Sequence, residues 1–89
     1  ALDIVMESSY PVSEDLKITV TATVKIVYSG GYTKTQDYTF DVFFEAERSR
    51  GTGYVYLDLQ GRYDVSIISY TMESDTPVSL NGMVEYKLQ

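Results

Sequence analysis

Carboxylates are the commonest residues of this chain that could do chemistry, and they come in pairs: Glu14/Asp15, Asp37/Asp41, Glu45/Glu47, Asp58/Asp64 and Glu73/Asp75. Two carboxylates about 5 to 10 Å apart can hydrolyse a glycoside. Three or four can hold calcium. No spacing here matches a calcium loop, although Glu73 and Asp75 beside Asn81 come nearest. Acids on the wet side of strands are ordinary, so these pairs read as solvated surface. The chain has no histidine and no cysteine. That removes the commonest general base, the thiolate nucleophiles and the Cys-based zinc sites. We expect no catalytic residues, no metal, no cofactor and no enzyme activity.

Other residues suggest binding rather than turnover. Arg48 and Arg50 flank Ser49, and an anion could sit between them; pairing with Glu45 and Glu47 is the plainer reading. Nine tyrosines occur among 89 residues. Exposed tyrosines can stack on sugar rings or anchor a protein contact. Tyr28, Tyr38, Tyr63 and Tyr86 phase inward as core. Tyr54, Tyr56 and Tyr70, with Tyr10 and Tyr32, phase outward or without a clear face, and the first three are the candidate ligand-binding residues.

The net charge is −6, from 13 acidic and 7 basic residues. Nucleic-acid binding needs clustered Lys and Arg against phosphates, and anionic membranes make the same demand. Neither partner fits. No apolar run approaches the roughly 20 residues that cross a bilayer as a helix. The length allows one domain, residues 1–89, with little room for a deep cleft beside its core.

These side chains must be positioned by strands. Leu16, Ile18, Val20, Ala22, Val24, Ile26 and Tyr28 alternate with Lys17, Thr19, Thr21, Thr23, Lys25 and Val27. A period of two held this long is one strand with a buried and a wet face. Ser29-Gly30-Gly31 is a turn. Beyond it Tyr38, Phe40, Val42 and Phe44 share one face, while Thr39, Asp41 and Phe43 share the other. A two-residue turn would set Val20 against Asp41. A three-residue turn sets Leu16 against Phe44, Ile18 against Val42, Val20 against Phe40 and Ala22 against Tyr38, all apolar. The second register is expected, with a glycine in the left-handed region forming a bulge.

The segment 46–53 reads as a charged, glycine-bearing loop. Tyr54–Leu59 reads as a strand with Val55, Leu57 and Leu59 inward, and Arg62–Met72 as another with Tyr63, Val65 and Ile67 inward. Met83–Leu88 closes the chain with Val84, Tyr86 and Leu88 inward; a short extended piece at Val78–Leu80 is an option. At the front, Leu2, Ile4 and Met6 alternate with Asp3, Val5 and Glu7. That strand could pair in its own domain or reach into a neighbour. The expectation is all-β: an antiparallel sandwich of six to seven strands.

The stretch Leu57-Asp58-Leu59-Gln60-Gly61-Arg62-Tyr63-Asp64-Val65-Ser66-Ile67 resembles the tyrosine corner of immunoglobulin-like and fibronectin type III-like domains. There a tyrosine opens the sixth strand and its hydroxyl bonds to backbone a few residues upstream. The resemblance implies that Tyr63 is the corner residue and that the sandwich is immunoglobulin-like. It covers about eleven residues, and the tryptophan and the cysteine pair common in those families are absent.

Five apolar residues, Val5, Val27, Phe43, Ile68 and Met83, sit on faces otherwise polar. Together they suggest a second buried surface, hence an interface. The expected function is a non-catalytic structural or protein-interaction module, extracellular or at the cell surface, joined to itself or to a surface partner as a subunit of a cell-surface or filamentous assembly. The alternative is a carbohydrate-binding module working through exposed tyrosines.

Overall fold

The computed structural model describes residues 2–57, 61, 63–74 and 80–88, with β6 side chains only at Gly82 and Tyr86. All its regular structure is β: β1 (Leu2–Ser8), β2 (Leu16–Tyr28), β3 (Thr33–Phe44), β4 (Arg50–Val55), β5 (Tyr63–Glu73) and β6 (Leu80–Leu88). The strands form one antiparallel sheet in the order β5-β2-β3-β4-β1-β6. The sheet curls into a half-barrel. The described strands form one continuous ladder. Its halves, β5-β2-β3 and β4-β1-β6, join through only two residue pairs, Phe43 with Thr52 and Phe44 with Gly51. β1 lies between β4 and β6 of its own sheet.

The β2–β3 register is the one that the alternation demands, from Leu16 opposite Phe44 to Ala22 opposite Tyr38 and beyond. Tyr28 N–H donates to the Tyr32 carbonyl, and Gly31 N–H donates back to the Tyr28 carbonyl. Three residues therefore make the turn, and Gly31 closes it at φ 88°. A left-handed third residue costs glycine little and lets both strands keep their twist.

Inward side chains from both halves make a single core. Leu2, Ile4 and Met6 of β1 pack with Ile18, Val20, Ala22, Val24 and Ile26 of β2, and with Phe40, Val42 and Phe44 of β3. Val12, Val55 and Leu57 complete it. Tyr86 keeps its expected inward face but is not core. It pairs with the buried Ile4 but is 41% exposed, because β6 is an edge and no described strand lies beyond it to cover the ring.

The segment 46–53 is not all loop. Strand β4 begins at Arg50 and holds Gly51 and Gly53, and it ends at Val55, short of the expected Leu59. Glycines usually weaken strands, but here they permit close approach of another backbone. A Cβ at position 51 would enter the Phe44 ring, and one at 53 would lie 2.5 Å from the Asp41 carbonyl oxygen. The large ring of Phe44 needs the first vacancy and the β3 backbone needs the second. Residues 58–60 and 62, the extended piece at 78 and 79, and the inward places of Val84 and Leu88 lie outside what is described.

The loop after β3 is clamped to the β1–β2 connection. Glu47 N–H donates to the Val12 carbonyl, Val12 N–H to the Arg48 carbonyl, and Ser8 N–H to the Ser49 carbonyl. Asp15 accepts from Ala46 N–H at 2.9 Å. Arg48 N–H also donates to the Glu45 carbonyl, closing a turn in which Glu47 stands at φ 68°. A positive φ at the third turn position favours glycine.

Two substitutions test this account by urea unfolding. Gly53→Ala should cost about 2–3 kcal/mol, because a backbone oxygen cannot step aside as a side chain can. Glu47→Gly should stabilise by about 0.5–1 kcal/mol, as relief of left-handed strain outweighs added chain freedom.

Candidate functional site

Phe43 projects from the outer face of β3 and is 59% exposed. Its place is fixed by one row of cross-strand partners: Lys17 on β2, Phe43, Thr52 on β4 and Val5 on β1. Residues directly opposite in a sheet share a face. Two residues along β4, Tyr54 stands beside Asp3 on the same face and is 67% exposed. Tyr56 follows just past the strand, 73% exposed. The interface candidates Phe43 and Val5 and the ligand candidate Tyr54 thus come together around Thr52, while Tyr56 lies beyond the paired rows.

A shallow groove of about 440 Å³ opens beside Phe43, lined also by Glu45, Arg48, Ser49, Arg50 and Thr52. Arg50 Nε lies 3.6 Å from Glu7 Oε2 with both side chains substantially exposed. Such a pair contributes little to stability. The expected pairing of these arginines with Glu45 and Glu47 gives way to this one contact, because β4 starts at Arg50 and sets it opposite Glu7.

The other candidates lie apart. Ile68 is exposed on β5, and it is the extra residue of a bulge: Thr23 pairs with Ser69 and Val24 with Ile67. Val27 sits near the β2–β3 turn, opposite Thr33 and Asp64. The five outward apolar residues therefore do not form one patch. The Met83 side chain on β6 lies outside the described set, as do residue Asp75 and the Asn81 side chain of the calcium candidate. Among the described residues no group of three or more potential metal ligands occurs.

Tyr70 faces inward and is not an exposed ligand residue. The bulge at Ile68 reverses the phase of β5, so Tyr70 pairs with Ala22 on the inner face and packs against the core. Its hydroxyl lies where a side chain at residue 82 would be, against Gly82 of β6. Tyr63, the corner candidate, opens β5 opposite Tyr28, with ring centroids 6.4 Å apart. The upstream residues 58–60, to which a corner hydrogen bond would run, lie outside the described set.

Sequence reasoning passed over the outer face of β2 and β3 as plain wet surface. Thr19 donates to Asp41 Oδ1 at 3.0 Å, Thr21 and Thr39 share a hydrogen bond of 3.1 Å, and Thr23 donates to Asp37 Oδ1 at 2.7 Å. This ladder of three polar rows continues directly from the Lys17–Phe43 row. The signal was present as the Thr-x-Thr-x-Thr of β2, but only the register supplies its partners.

No protein-family model matches the chain, and neither a curated protein nor a solved structure matches it. The reading of the site rests on its geometry.

Burial, and then the charges of Tyr28 and Tyr63, push the Tyr38 phenol above its ordinary value near 10. A raised folded-state value means that the neutral form stabilises the fold below the unfolded pKa, and that this stability is lost as pH rises through the folded one. Tyr38→Phe should therefore blunt the alkaline loss of stability, read as urea midpoints from about pH 8 to about pH 11.

Proposed function

We propose that this domain is a non-catalytic structural or protein-interaction module that works outside the cytoplasm, as a subunit of a cell-surface or filamentous assembly. The observation that carries the reading is the outer face of β3, β4 and β1, where Phe43 and Tyr54 stand exposed beside Thr52. Exposed aromatic side chains on a rigid sheet, with arginine beside them, have the composition of protein contacts. Covering Phe43 and one tyrosine would contribute roughly 1.5–3 kcal/mol each before association entropy. The absence of histidine and cysteine supports a non-catalytic role.

The immunoglobulin-like sandwich belongs to the same proposal. Tyr63 at the start of β5 supports it, as do two three-stranded halves around one core. The strand order departs from it: the corner strand pairs with the strand that follows it in immunoglobulins, whereas β5 pairs with β2, and β6 lies at the far edge.

A second reading, carbohydrate binding, is favoured by one observation: Tyr54 and Tyr56 present their rings to solvent two residues apart.

Native mass separates the two. Sedimentation equilibrium of the parent should show concentration-dependent association. Phe43→Ser and Tyr54→Ser should abolish it, with stability unchanged to within about 0.5 kcal/mol. A parent that stays monomeric at high concentration, is retained by an insoluble polysaccharide and is released by Tyr54→Ala or Tyr56→Ala would replace the first reading with the second.

A further inference from the structure

Resting on the protein-interaction reading, we infer that the partner seated on Phe43 is a second copy of this chain, docked two-fold through the outer faces of β2 and β3. Two copies at net charge −6 repel one another at long range. Contact is favourable only where cations of one copy meet carboxylates of the other.

The outer face of β2 and β3 is arranged for that. Its row at Phe43 carries Lys17, with Arg48 and Arg50 in the adjoining groove. Lys17 and Arg48 make no ion pair among the described residues. Farther along the same face stand Asp41 and Asp37, each held by one threonine hydroxyl through Oδ1. Those hydrogen bonds fix where the carboxylates stand. The face is therefore bipolar, cationic at the Lys17–Phe43 row and acidic at the Thr23–Asp37 row. Glu45 and Glu7 moderate the cationic end, and Lys25 lies one outward row past Asp37.

A two-fold axis crossing the strands between the Thr19–Asp41 and Thr21–Thr39 rows superposes these ends. It sets the Lys17–Phe43 row of one copy over the Thr23–Asp37 row of the other, and the reverse contact follows by symmetry. Phe43 then loses its exposure beneath an ordered polar row, flanked by reciprocal lysine–aspartate pairs.

The experiment is sedimentation equilibrium of the full chain with Lys17→Glu, Asp37→Lys, the double variant and an equimolar mixture of the two singles. The parent should dimerise and weaken at least about tenfold as ionic strength rises from about 0.01 M to about 0.15 M. Each single variant should weaken at least about tenfold, while the double variant and the mixture return to within about threefold of the parent. Melting temperatures of all variants show whether a loss lies in the contact or in the fold, and an unfolded single variant leaves the double variant and the salt series to decide. Association that ignores salt and both charge changes overturns this inference and leaves the interaction reading standing. So does association that grows past dimers. A parent monomeric at every concentration overturns both.

Discussion

The register between β2 and β3 is the constraint on which the rest of the structure depends. Side chains alternate faces with a period of two, so a slip of one residue would turn Val20, Ala22 and Phe40 outward and bring Thr21, Thr39 and Asp41 into the core. Burying those groups unpaired would cost far more than any turn preference can return. Gly31 at φ 88° makes the three-residue turn compatible with the required register, so local and long-range demands agree. The same register orders the outer face. It pairs Thr19 with Asp41 and Thr23 with Asp37, and it aligns Lys17 with Phe43.

A second constraint follows at the place where the sheet curls. β3 and β4 share only two residue pairs, too few to hold two half-sheets against one another. The rest comes from close approach and from the clamped loop. Gly51 leaves room for the Phe44 ring, and Gly53 lets β4 pass over the Asp41 carbonyl. Backbone hydrogen bonds from Val12, Glu47 and Ser8 then tie the loop after β3 to the chain leaving β1. Sharp curvature here makes one core from the inner faces of both halves. It also leaves Phe43 and Tyr54 on the convex side, where nothing in the described chain covers them.

The two long strands could be read from the sequence because their alternation runs for more than ten residues and because only one register satisfies both. The start of β4 could not. Gly51 and Gly53 look like loop residues until the neighbouring backbone that requires them is known. Phase along β5 was legible up to Ile67 and failed beyond it, since one extra residue at Ile68 reverses which side chains face inward and carries Tyr70 into the core. Strand order was not legible at all. It is a property of pairings between distant segments, and alternation within a strand does not encode its neighbour. The site shows the same division: Phe43, Val5 and Tyr54 stood out singly as misplaced apolar or aromatic groups, yet their convergence depends on how β4 pairs with both β3 and β1.

Sheet edges bear on how such a domain can associate. β5 and β6 end the sheet, and an unpaired edge is a template for another strand. Both edges are irregular. β5 carries the bulge at Ile68, and the pairing of β1 with β6 shifts register between Val5 and Met6 and again between Glu7 and Ser8. Each shift interrupts the even spacing of donors and acceptors that strand addition needs, which is a common way for β-proteins to avoid edge-to-edge pairing. β1, the segment best patterned to invade a neighbour, is already paired on both sides in its own sheet. Association by strand exchange would have to break that ladder and expose Leu2, Ile4 and Met6, all buried in the core. Association through the convex face breaks nothing, because Phe43, Tyr54 and the threonine–aspartate rows are already in place on a rigid sheet.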